Sequence, residues 1–211
     1  ELRDYKGYKF NFDDTAKQLY RVTKQGGVVV WVVGDSVVNG SESSTSFKQA
    51  LRFKEIGFNL HDTMIYRKRG SSLPDPTRYF QAFEYMFVFS KGKPKTINKI
   101  YDVKNTWVGE HSNDTVREKD GKTWSRRARV TPEYSYRPNI WTYDIGWMKT
   151  TADDYAYEHP AMFPEALAKD HIISWSNKGD LVLDPFCGSG TTCKMAKYEL
   201  RKYIGIEASE T

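Results

Sequence analysis

The stretch Leu181-Val-Leu-Asp-Pro-Phe-Cys-Gly-Ser-Gly-Thr-Thr192 constrains the fold more than any other part of the chain. Leu181 to Leu183 reads as a short buried strand that ends at Asp184; Gly188 and Gly190 then make a turn, and Thr191 to Leu200 carries a helical pattern. Glycines between a strand and a helix let the backbone approach a ligand, and the helix start offers unpaired N–H groups to an anion. A phosphate loop would need a Lys after its last Gly, where Thr191 stands, and a longer spacing. A dinucleotide fingerprint would need Gly or Ala at the position of Cys193. One strand further on, Tyr203-Ile-Gly-Ile-Glu207 ends in an acid, placed to accept hydrogen bonds from both hydroxyls of a ribose. Taken alone, Glu207 reads as a strand-end surface acid; its spacing behind Gly190 favours the ribose. An acid that reads ribose, with no phosphate pattern beside it, suits a nucleoside bearing a carboxylate. S-adenosylmethionine has that chemistry.

The rest of the chain alternates strands and helices. Phe12 to Lys24 places Phe12, Ala16, Leu19 and Tyr20 near one helical face, and Gly26-Gly27 ends it. Val28 to Val33 is a continuous apolar, β-branched run, which predicts a strand buried on both faces as in a parallel sheet. A polar loop from Asn39 to Ser46 leads into a helix over Thr45 to Ile56. Strands are expected over Asp62 to Arg67 and Tyr85 to Ser90. Past Thr150, Phe163 to Trp175 is helical, with Leu167, His171, Ile172 and Trp175 at core spacing. The pattern predicts an α/β fold with helices on both faces of a sheet.

Between these two halves, residues 93–150 lack long helical periodicity and read as an insert. The formal net charge of +5 belongs to it: Lys93 to Lys149 holds 12 Lys and Arg against 7 Asp and Glu, and the remainder balances. Tyr101, Trp107, Trp124, Tyr134, Tyr136, Trp141, Tyr143 and Trp147 are interleaved with those charges. Two readings stand: a surface that neutralises phosphates and stacks on bases, or a small aromatic core under a solvated basic face. With 39% hydrophobic and 15% aromatic residues, a mean hydropathy of −0.68 and no long apolar run, the chain reads as neither membrane-embedded nor disordered. Two cysteines, Cys187 and Cys193, supply neither a disulfide framework nor four zinc ligands, and no leader opens the chain. The compartment expected on these grounds is the cytoplasm.

Asp184-Pro-Phe-Cys-Gly-Ser-Gly-Thr-Thr192, together with His159-Pro-Ala-Met-Phe-Pro-Glu165, resembles the cofactor half of amino-group DNA methyltransferases, which modify N6 of adenine or N4 of cytosine. The order resembles their β class, with the catalytic half first and a target-recognition insert before the cofactor half. The resemblance implies a Rossmann-like methyltransferase sheet in permuted motif order, divided as 1–92 catalytic half, 93–150 target-recognition insert and 151–211 cofactor half. It implies S-adenosylmethionine as cofactor, held by Asp184, Phe186, Gly188 and Gly190 around its methionine part. Thr191 and Thr192 would cap the next helix and hold the carboxylate, and Glu207 would hold the ribose. Pro160, Phe163 and Pro164 would close over the methionine end, while His159 either joins them or packs.

The catalytic signature of that family is an Asp/Asn/Ser-Pro-Pro-aromatic loop, and this chain has no Pro-Pro pair. The resemblance therefore implies a fragment of a longer enzyme, with no catalytic residue of that loop inside it. Asp4, Tyr5 and Asp35 are its pocket candidates, each with an equally plain structural reading. The expected partner is double-stranded DNA, from which the target base would be swung out, contacted through Trp124, Arg126, Arg127 and Arg129. No metal is required and no membrane is involved; a cognate restriction endonuclease and a second copy are further candidate partners. The alternatives are a methyltransferase acting on RNA or a small molecule, and a DNA-binding module with an inert methyltransferase core.

Overall fold

The computed structural model describes residues 10–70, 76–112, 115–125, 129–146, 149–151 and 163–208. The chain forms two compact units: one comprises Glu1–Asn98 with Asn139–Thr211, the other Lys99–Pro138.

The first unit opens with helix α1 (Phe12–Val22), whose N-cap Asn11 accepts from the Asp14 N–H at 3.2 Å. Strand β1 (Val28–Val33) follows, then a small hairpin, β2 (Val37–Val38) and β3 (Ser41–Glu42), whose second strand falls inside the stretch expected to be a polar loop. Helix α2 (Thr45–Ile56) leads to the long strand β4 (Asn59–Arg69) and then β5 (Phe83–Ser90). Alternation along β5 divides its side chains between two faces. Phe87 and Phe89 join Ala16, Leu19, Ala50, Phe53 and Phe58 in a core under α1 and α2. Burying Phe53 and Phe89 completely is worth about 2 kcal/mol or more apiece.

The second unit consists of short antiparallel pairs. Strands β6 (Tyr101–Lys104), β7 (His111–Ser112), β8 (Thr115–Arg117), β9 (Thr123–Ser125), β10 (Arg129–Val130) and β11 (Tyr134–Tyr136) pair as β6 with β11, β7 with β10, and β8 with β9. The Arg137 Nε–H is shared between the two Asp102 carboxylate oxygens, at 2.7 and 2.9 Å, and ties its two ends. Tyr101, Trp107, Trp124, Tyr134 and Tyr136 are all exposed. Rings left outside in this way do not make a buried aromatic core of the unit.

The chain returns to the first unit earlier than its composition suggests. The compact insert is Lys99–Pro138, narrower than 93–150, because β12 (Ile140–Asp144) is a sheet strand: it pairs in parallel with β4, and Trp141 and Tyr143 are buried. Helix α3 (Glu165–Trp175) covers the second sheet face, where His171 Nε2 stands 3.1 Å from Met86 Sδ and its ring lies 4.7 Å from that of Trp141. Strand β13 (Leu181–Asp184), helix α4 (Thr191–Tyr198) and strand β14 (Lys202–Gly205) close the chain, with β13 and β14 parallel.

The main sheet runs β1-β5-β4-β12. Val28–Val33 thus corrects one expectation: β1 pairs antiparallel with β5, at the end of the strand order, and all six residues are only half-buried. A β-branched run specifies extended backbone, but the direction of its neighbour depends on which distant strand docks there. Among the described residues no helix is long and apolar enough to cross a membrane.

Candidate functional site

The turn after β13 is built by its own backbone. Asp184 Oδ1 accepts from the Phe186 N–H at 3.0 Å, the Cys187 N–H reaches Ile206 O at 3.0 Å, and the Gly190 N–H reaches Cys187 O at 2.7 Å. Gly188 (φ 49°) and Gly190 (φ 85°) both lie in the left-handed region, which glycine adopts without penalty. Gly190 is the N-cap of α4 and brings no side chain, so no side chain caps this helix. Thr191 and Thr192, expected to cap it, are instead its first helical residues; a capping side chain must precede them, and Gly190 holds that place. The first-turn N–H groups of α4 therefore receive no side-chain cap.

Parallel pairing sets Asp184 beside Gly205, and Glu207 follows. Its carboxylate points to the turn: Oε2 accepts from the Gly188 N–H at 2.9 Å and Oε1 from the Ala208 N–H at 3.0 Å. Gly205 lets the strands approach, since a Cβ there would lie 2.7 Å from Cys193 Sγ and 2.9 Å from Cys187 Sγ. Burial pushes both thiols above their usual pKa, with the Asp184 carboxylate adding to it. They are packing groups in the neutral form. Half-exposed Phe186 meets Phe10 edge-on at 5.3 Å, and Phe10 stacks on Trp31 at 6.4 Å, which links the turn to β1.

Two clefts open at the sheet end where β1 and β4 finish. One, of about 370 Å³, is lined by Trp31, Asp35, Gln49, Lys68, Gln81 and Glu84 among others. The second, of about 270 Å³, adds Tyr66, Thr150, Phe163 and Pro164. The Lys68–Glu84 ion pair, with both side chains under a third exposed, belongs to both clefts.

A DNA methylase family of N6/N4 methyltransferases matches the chain from residue 1 to residue 211. The chain belongs to this DNA methylase family. The methylase is 58% identical over 213 residues to the orphan methyltransferase M.BamHII of Bacillus amyloliquefaciens, covering all of this chain and 80% of that protein. It is similar to the solved structure of the cytosine-N4-specific PvuII DNA methyltransferase, with a TM-score of 0.67 and 25% identity over 94% of this chain and 65% of that one. The structure of M1.HpyAVI with SAM shares the fold, with a TM-score of 0.60 and 22% identity over 95% of this chain and 78% of that one. The fold of the methylase is thus the Rossmann-like one of S-adenosylmethionine-dependent methyltransferases, and its chemistry is DNA methylation.

The residues expected at its site divide clearly. Asp184, Phe186, Gly188, Gly190, Thr191, Thr192 and Glu207 gather around one turn, while Phe163 and buried Pro164 line the smaller cleft. Asp4, Tyr5, Arg126, Arg127, His159 and Pro160 lie outside the described residues. Trp124 and Arg129 are exposed on the separate Lys99–Pro138 unit. Asp35 lines the larger cleft, yet its oxygens are already engaged by Ser43 Oγ at 3.0 Å, the Ser46 N–H at 3.1 Å and Ser46 Oγ. Burial raises its pKa, but the hydrogen bonds from Ser46 and Ser43 outweigh that and hold the carboxyl below its usual value. Asp35 supplies the cap that the N-cap of α2, Ser44, does not provide. Sequence reasoning missed Lys68, Glu84 and Thr150. The first two sit on strands far in sequence from either motif and meet only through the β4–β5 register.

Proposed function

We propose that the methylase transfers the methyl group of S-adenosylmethionine to the exocyclic amino group of adenine or cytosine in a specific double-stranded DNA site. The carrying observation is the Glu207 carboxylate turned onto the Gly188 amide, beside the uncapped start of α4. These groups fit the cofactor: a carboxylate acceptor for ribose hydroxyls, helix N–H groups for a carboxylate, and open space in front of Gly190. When bound, the cofactor supplies a methyl group activated on a sulfonium.

In this reading Asp184, Phe186, Gly188, Gly190, Thr191 and Thr192 surround the methionine part, with Phe163 and Pro164, and with Pro160 from outside the described residues. The larger cleft beside β1 and β4 admits the extruded base, and Trp31 and Gln49, joined by a 2.8 Å hydrogen bond, give one wall an aromatic and a polar edge. Positioning, not proton chemistry at a metal, carries such a transfer. The Lys99–Pro138 unit contacts DNA through Trp124, Arg129 and the neighbouring Arg126 and Arg127. A cognate endonuclease and a second copy of the chain remain partner proposals, to be read from co-purification and sedimentation. Calorimetry of the full-length protein with S-adenosylmethionine tests the core of the reading; no binding at millimolar cofactor would overturn it.

A further inference from the structure

We propose that the Tyr79-Phe80 pair enters the DNA duplex as a wedge and fills the stack left by the extruded target base. This rests on the reading above, in which the larger cleft takes that base, and adds residues that no motif contains. The segment joining β4 to β5 returns to the sheet through Arg78, Tyr79, Phe80 and Gln81, and Gln81 lines the 370 Å³ cleft. Tyr79 is fully exposed and Phe80 is 56% exposed. Their approach is fixed on both sides: the Lys68 N–H donates to Ala82 O at 2.8 Å, and Arg78 Nη2 donates to Gly40 O in the β2–β3 hairpin. Behind them an aromatic ladder climbs β5 out of the core, Phe89 to Phe87 at 6.1 Å, Phe87 to Tyr85 at 5.3 Å and Tyr85 to Phe83 at 5.4 Å. Adjacent large rings left in water beside a cleft, on a root this well packed, mark an interaction surface.

The charge beside the rings identifies the partner. From Arg67 to Glu84 the sequence carries Arg67, Lys68, Arg69 and Arg78 against Asp75 and Glu84. Arg67, Arg69 and Arg78 are exposed, and Arg67 pairs in register with Phe83 at the foot of the segment. Glu84 is taken up by Lys68, and Asp144 lies 3.4 Å from Arg69 Nε. A basic aromatic rim meeting its own copy would set like charges face to face. Duplex DNA instead supplies phosphates for the arginines and base faces for the rings. Extruding a base costs the stacking on both its sides, and an apolar ring inserted at that step offsets the cost. Phe80 directly precedes a residue of the cleft wall, so a wedge here lies next to the pocket that receives the base.

The test uses the full-length protein and unmethylated plasmid and genomic DNA; sequencing of the methylated product supplies a short duplex that carries the site. A second duplex has an abasic position opposite the target base, which removes its pairing and lowers the cost of extrusion. On the paired duplex the double variant Tyr79→Ala, Phe80→Ala should methylate about tenfold or more slowly at saturating DNA, the scale of a lost stacking contact. The abasic duplex should restore most of that rate, and the conservative Tyr79→Phe, which keeps the ring, should rescue it on the paired one. Calorimetry should find S-adenosylmethionine bound equally by wild type and the double variant. An undiminished rate in the double variant, or an equal loss on both duplexes, would overturn the wedge while leaving the cleft reading intact. A smaller sedimenting mass of the double variant would also overturn it, by making the patch a contact between copies. Wild type that binds the cofactor but transfers no methyl group to plasmid or genomic DNA would overturn the cleft reading and the wedge together.

Discussion

The Glu207 carboxylate lies 2.9 Å from the Gly188 backbone N–H, across the gap between two parallel strands. An exposed acid is thereby oriented before any ligand arrives. Replacing it with Ala should weaken S-adenosylmethionine binding by about tenfold or more, the scale of losing charge-assisted hydrogen bonds. DNA affinity measured without cofactor should stay near wild type. Equal losses of both would remove Glu207 from the cofactor site.

Gly205 is the contact point of β13, β14 and the two cysteines. Gly205→Ala would force its Cβ to within 3 Å of both sulfurs. A cost of about 1–3 kcal/mol is expected for such overpacking. Chemical denaturation should show that loss, and adding Cys193→Ala should recover part of it. A neutral Gly205→Ala would mean that the turn relaxes freely.

Asp35 acts through α2. Asp35→Ala should cost about 1 kcal/mol, the usual value of a lost helix cap. Because hydrogen bonds hold the folded carboxyl below its ordinary pKa, its contribution is present above the unfolded value and fades as pH falls through the folded one. Urea titrations at pH 7 and pH 3 should therefore show a difference between wild type and Asp35→Ala that narrows in acid.

His171 has the same sign for a different reason. Burial holds the imidazole neutral, with its pKa pushed down to about 3, and Trp175 Nε1 approaches its Nδ1 at 3.3 Å. The unfolded chain takes up a proton near pH 6.5 that the folded one refuses, so stability falls as pH drops from that value toward 3. The slope approaches about 1.4 kcal/mol per pH unit. His171→Gln, followed by urea unfolding between pH 7 and pH 5, should flatten that slope; an unchanged slope would assign the proton uptake elsewhere.

Arg129 and Trp124 test the insert. Arg129→Ala should lower the salt dependence of duplex DNA binding by about one ion, and Trp124→Ala should weaken binding with the slope retained. Fluorescence anisotropy across a salt series reads both. Unchanged binding in both variants would move the DNA surface off this unit.

What the chain alone determined is local. The strand, glycine turn and helix from Leu181 to Tyr198 follow from apolar runs, from glycines able to take positive φ and from helical spacing, all set within a few residues. Glu207 was readable for the same reason, since one helix and one strand separate it from the turn. The basic aromatic insert was visible as composition, but its limits were not, because Ile140 to Asp144 becomes a sheet strand only through its register with β4. Tertiary structure likewise decided that β1 would meet an antiparallel neighbour, that Asp35 would cap α2, and that Lys68 would face Glu84. Burial and pairing between residues far apart in the chain depend on the assembled packing, and no local pattern encodes them.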